Sequence, residues 1–181
     1  MGVRAEHRAI EEVEFERFVV ADSPGLLRGA YLLTGDHGAA EDLLQVALIR
    51  TLRRWHQIEG APAAYAFAVL SNLARDRLRN ERRRPRLLFD RQPPERPVAD
   101  AVQELLEREA IVVAARSLAR PQREVVACRF LLDLTVEQTG TALGMPPGTV
   151  KSHTSRALAR MRELLSDQDR ENASEVLYGD R

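Results

Sequence analysis

Lys151 is the only lysine in the 181-residue chain, and it stands among Thr149, Ser152, Ser155, Arg156 and Arg160. Laid on a helix, these residues make one polar stripe of a long cation, short hydroxyls and guanidinium groups. Donors of this kind suit phosphates and base edges in the major groove of duplex DNA. The opposite stripe, Val150, Thr154, Ala157, Leu158, Met161 and Leu165, recurs at helical spacing and is mostly apolar, as a face turned to a core should be.

The residues just before it supply an element that would hold such a helix in place. Thr135-Val136-Glu137-Gln138 is a capping box, in which threonine and glutamine side chains satisfy orphan helix donors reciprocally. The short helix it opens runs to Leu143, and Gly144 suits the left-handed position that closes it. Pro147 fits the first turn of the next helix, where a missing N–H is no loss. A short capped helix, a glycine turn and a polar-faced second helix form the helix-turn-helix layout. On spacing alone, a structural helical hairpin with a solvated charged face fits as well.

A second constellation lies in the first half. Asp36 is placed to cap a helix whose first turns carry Glu41 and Asp42, where acids favour the helix dipole, and Gln45 follows one turn beyond Glu41. Arg53-Arg54-Trp55 and a loop lead to a helix from Ala64 to Arg84 that buries Phe67, Leu70, Leu73 and Ala74. That helix presents Asn72, Arg75, Arg79 and finally Arg82-Arg83-Arg84. An amide one turn before a run of arginines suits base contact beside phosphate contact. A solvated arginine-rich helix end is the plainer alternative. Trp55, the only tryptophan, reads first as a core residue and second as a platform for an unpaired base.

The formal net charge is +0, yet the stretch 75–91 holds eight arginines against three acids, and Glu6, Glu11, Glu12, Glu14 and Glu16 gather near the start. Segregated charge still makes a local field, so DNA remains open as a partner while avid non-specific binding does not. The single cysteine, Cys128, excludes an intrachain disulfide framework and a multi-cysteine zinc site, and it sits in an apolar run as a small buried hydrophobe. No metal and no cofactor is expected. No apolar run approaches the roughly 20 residues of a spanning helix, so a cytoplasmic protein without membrane insertion is expected.

β-type alternation and internal repeats are absent, which predicts an all-α fold. Two small helical domains are expected, at 10–88 and 104–166, the second containing the helix-turn-helix. Between them, 89–103 with Gln92-Pro93-Pro94-Glu95-Arg96-Pro97 reads as a flexible linker, and 167–181 as a polar tail. Within the first domain, Ser23-Pro24-Gly25 reads as a break between helices.

Ala40-Glu41-Asp42-Leu43-Leu44-Gln45, Trp55, Ala64-Tyr65, Asn72-Leu73-Ala74-Arg75-Asp76, Leu118-Ala119-Arg120-Pro121-Gln122-Arg123 and Gly148-Thr149-Val150-Lys151-Ser152 occur in that order. Together they resemble the extracytoplasmic-function (ECF) sigma factors, two-domain specificity subunits of bacterial RNA polymerase, over nearly the whole chain. The resemblance implies a non-enzymatic factor that binds core RNA polymerase and directs promoter-specific initiation. It implies that Glu41, Asp42, Leu43 and Gln45 meet the clamp helices of the largest subunit, and that the polymerase flap is a further contact. It implies that Asn72, Arg75, Arg79, Trp55 and the loop 57–63 capture the −10 element as single strand. Thr149, Lys151, Ser152, Ser155, Arg156 and Arg160 would read the −35 element as duplex, and an anti-sigma factor is a further partner of such a chain.

Two features depart from the family pattern. Pro146 replaces the usual hydroxyl cap, and Gly140 replaces an alanine, at about 1 kcal/mol in helix propensity. Two rivals stand beside the sigma reading. A stand-alone operator-binding regulator leaves the Glu41–Gln45 and Trp55–Arg79 constellations unused. A nuclease built on Glu41, Asp42 and a histidine lacks any nucleophile–base pair or metal spacing.

Overall fold

Helix formation follows the caps and breakers closely, with one exception. The computed structural model describes residues 2–83 and 109–165. The expected linker at 89–103 and tail at 167–181 lie outside the described residues, as do the domain ends beyond 83 and before 109. Among the described residues every regular element is helical.

The first unit is α1 (Gly2–Thr34), α2 (His37–Leu52) and α3 (Pro62–Arg83), with a single 3₁₀ turn at Trp55–Gln57 between the last two. Asp36 caps α2, its carboxylate accepting from the Ala39 amide at 2.6 Å. The three helices pack pairwise around Leu26, Ala30, Leu33, Ala40, Leu44, Ala47, Phe67, Leu70 and Ala74. The exception is α1, which runs unbroken through Ser23-Pro24-Gly25 where a break was expected. Proline frees the carbonyl four residues back. Here that residue is Val20, 80% exposed, where water can replace the lost donor.

The second unit is α4 (Glu109–Ser117), α5 (Arg120–Val126), α6 (Val136–Leu143) and α7 (Pro147–Leu164). A π-turn over Ala127–Leu131 extends α5, closed by the Leu132 amide donating to the Ala127 carbonyl at 3.2 Å. Helices α4, α5 and α6 all pack on α7, through Val125, Val150, Ala157, Met161 and Leu165.

The two units are docked against each other. α1 meets α4, α5 and the π-turn, and α3 meets α6, so one continuous apolar cluster runs through both. One glycine of α1 makes the approach of the second unit possible, and another admits a ring of α3. A Cβ on Gly25 would collide with the Leu131 carbonyl oxygen, and one on Gly29 would stand 2.9 Å from Phe67 and 3.6 Å from the Ala127 Cβ.

Candidate nucleic-acid interface

The helix-turn-helix is built as its residue types require. The Gln138 amide donates to the Thr135 hydroxyl at 3.1 Å, and the Thr135 amide donates to the Gln138 side-chain oxygen at 2.8 Å. Gly144 closes α6 at φ 64°, a left-handed conformation that glycine adopts without a steric penalty. Pro146 holds the cap position of α7 without a side-chain hydrogen bond, and Pro147 is the first helical residue. Helix α7 then divides by face. Val150, Ala157 and Met161 are buried, whereas Lys151, Ser155, Arg156 and Arg160 are exposed and Thr149 and Ser152 half-buried. Arg160 Nη1 also donates to Glu163 Oε2 at 2.9 Å.

Lys151 and Ser155 border a surface cavity of about 340 Å³ shared with Thr154, Leu158, Val136, Arg129 and Arg162. Arg129 and Arg162 therefore enlarge the basic surface beyond the residues chosen from sequence. Arg162 lies three helical turns past Lys151, so spacing could have found it. Arg129 comes from the π-turn, where its guanidinium donates to the Leu134 carbonyl, and no local pattern signals that placement.

On α3, Asn72, Arg75 and Arg79 are all exposed, and Arg75 Nη1 donates to Asn72 Oδ1 at 3.4 Å. The side chains of Arg82 and beyond lie outside the described residues. The loop preceding α3, with Gln57, Ile58, Glu59, Gly60 and Ala61, borders a second cavity of about 350 Å³. The far wall of that cavity is α6, through Glu137, Gln138, Thr141 and Ala142. Trp55, in the 3₁₀ turn before the loop, is half-buried against the core. Its ring packs edge-on against Phe15 at 5.2 Å and tilted against Phe18 at 5.3 Å, which ties the turn to α1.

On α2, Asp42 and Gln45 are exposed and Glu41 is half-buried, 3.6 Å from the His37 ring. Leu43, at 8% exposure, sits at the edge of the first unit's core, between these two exposed residues in the chain. Val46, Ile49 and Leu52, at 38%, 51% and 48% exposure, stand out from α2 instead. Sequence reasoning passed over them because exposed and buried aliphatic residues look alike until the helix is seen packed.

Burial pushes the Cys128 thiol far above its ordinary range, with the nearby Glu124 carboxylate adding to the effect, so the group stays protonated and inert. No group of metal-ligating side chains and no helix long and apolar enough to cross a membrane occurs among the described residues.

Residues 18–84 match the family model Sigma-70 region 2, and residues 114–163 match Sigma-70, region 4. The two units thus carry the two conserved regions of a sigma-70-type initiation factor. The RNA polymerase sigma-E factor of Streptomyces coelicolor is 41% identical over 164 residues, covering 88% of this chain and 90% of its own length. The ECF RNA polymerase sigma factor SigL of Mycobacterium tuberculosis is 33% identical over 150 residues, covering 78% and 83%. The sigma factor RpoE of Bartonella quintana, solved in complex with the anti-sigma factor NepR, shares the fold with a TM-score of 0.65 at 24% identity, over 83% of this chain and 96% of that one. The chain belongs to the ECF sigma factors, and it is a promoter-directing factor that works with core RNA polymerase and promoter DNA. Sigma factors are generally non-enzymatic.

Proposed function

We propose a division of labour among three surfaces of this sigma factor. α7 enters the major groove at the −35 element, with Lys151, Ser152, Ser155 and Arg156 at base edges and Thr149 and Arg160 at phosphates. Asn72, Arg75 and Arg79 hold the −10 element as single strand beside the loop 57–63, and Trp55 braces that loop from behind. Asp42 and Gln45, with Val46 and Ile49 between their turns, form the face for the polymerase clamp helices. The chain catalyses no reaction itself and acts in the cytoplasm, where its polymerase works. An anti-sigma factor is a further partner in this reading, in keeping with the complex of the Bartonella relative.

The observation that carries the proposal is the two-sided character of α7, which has a buried aliphatic stripe and a solvent-facing stripe of lysine, arginine and hydroxyls. A helix held in this way presents donors to a groove without rearranging its own packing. The test is co-elution of the full chain with core RNA polymerase, followed by run-off transcription, with Asp42→Ala/Gln45→Ala as control. Co-elution by the wild type and its loss in the double variant are expected. Equal co-elution of both would refute the α2 assignment.

A further inference from the structure

We propose that the cavity between the 57–61 loop, α3 and α6 is a binding site for a small aromatic ammonium ion. Binding there needs neither polymerase nor DNA, and it is a property of the chain by itself.

The cavity holds about 350 Å³, at the lower end of the ~300–1,000 Å³ usual for small-molecule sites. Small side chains on facing elements open the space. Ala61, Ala64 and Ala68 line it at the start of α3, and Thr141 and Ala142 line it from α6. Ile58 and Tyr65 add the larger apolar surfaces. Methyl groups beside one phenol ring offer broad contact to a planar ring, which has few rotors to order on binding.

The polar groups set the charge of the ligand. Among the described residues, Glu59 on the loop and Glu137 in the first turn of α6 are the charged members of the lining. Neither carboxylate has a hydrogen-bond or ion-pair partner among the described residues, and nor has the Tyr65 hydroxyl. The remaining polar groups are already engaged. Gln138 Oε1 accepts from the Thr135 amide at 2.8 Å, and the Thr141 hydroxyl donates to the Glu137 carbonyl at 3.1 Å. Gln57 Oε1 accepts from Arg54 Nη1 at 3.0 Å, which ties that guanidinium outside the lining.

An anion would therefore face two carboxylates and no base. An ammonium group has three donors, and it meets a carboxylate on each side of the cavity and a phenol oxygen. For Glu137 the dipole of α6 is reason enough for an acid. Glu59 has no helix to complement, and a cationic ligand gives its placement opposite Glu137 a use. Both carboxylates are exposed. Each ion pair is accordingly screened and contributes about threefold in affinity, so a ligand of this size binds at about millimolar strength.

The test uses the full chain with phenethylamine as the probe and phenylpropionate, its acidic counterpart, as the control. In an NMR titration, phenethylamine should shift the amides of the loop 57–61, of Ala64, Tyr65 and Ala68, and of the α6 wall. It should bind about tenfold or more tightly than phenylpropionate. Glu59→Gln and Glu137→Gln should each weaken it by about threefold, and together by about tenfold. Ala68→Leu, which fills the cavity from α3, should abolish binding with helix content by circular dichroism unchanged. If that variant loses helix content, the two glutamine variants decide alone. Equal affinity for the amine and the acid would overturn the proposal. So would shifts confined to other surfaces, or a double glutamine variant that binds as well as the wild type.

Discussion

The two surfaces proposed to read DNA are made in different ways. The −35 face on α7 is local: a capping box, a glycine turn and one amphipathic helix place all its residues within a short stretch, and its reading side is open to solvent. The −10 face is assembled from a loop, one side of α3 and a turn braced by aromatics, and the second unit stands against its flank. A surface made within one helix is available as soon as the unit folds. A surface bordering an intramolecular contact is available only in proportion to how often that contact is open.

The contrast can be tested by substitution, beginning with the surface that depends on neither DNA element. Val46→Asp/Ile49→Asp should weaken core polymerase binding by about a thousandfold, since apolar anchors at interface hot spots cost ~2 kcal/mol or more each. The fold should persist because both side chains are exposed, and binding retained in a competition assay would remove α2 from the interface. Next in size, Lys151→Ala/Arg156→Ala should reduce promoter-specific run-off by about thirtyfold or more, at ~1–3 kcal/mol for each of two base contacts, with polymerase affinity unchanged. Loss of polymerase binding in that variant would mean that the local face is not confined to DNA.

Asn72→Ala should have a smaller effect, about tenfold, and on a different step. Permanganate reactivity of the melted region should fall while closed-complex formation holds. Equal loss at both steps would erase the distinction between the two faces. Smallest is Gly140→Ala. Helix propensity alone favours alanine by about 1 kcal/mol, but its Cβ would stand 2.7 Å from the Met145 carbonyl oxygen. Overpacking typically costs ~1–3 kcal/mol, so the melting temperature should drop. A rise would show that the turn relaxes freely.

That glycine marks the limit of what the sequence makes legible. The all-α class, the capping box at Thr135, the Asp36 cap, the start of α7 at Pro147 and the division of α7 into two faces are all short-range features. Each is decided by residues within a turn or two. The propensity argument for Gly140 missed its reason, which lies in a carbonyl brought close by the turn. The expected break at Pro24 failed because packing along the whole of α1 outweighed one lost hydrogen bond. The burial of Leu43 was not legible because its motif says nothing about which way α2 rolls, and Arg129 was invisible because a π-turn places it toward α7. The docking of the units depends on residues as far apart as Ser71 and Glu124, a separation no periodicity reports.

The contact at Gly25 also sets which part of the molecule is free to drift. Its partner is the main-chain oxygen of Leu131, an atom that every amino acid carries. Substitutions at 131 therefore leave this contact's chemistry in place, while almost any substitution at 25 removes it. Over evolutionary time the second unit could change the side chain there, and the record of this contact would persist in one hydrogen-for-side-chain choice on α1.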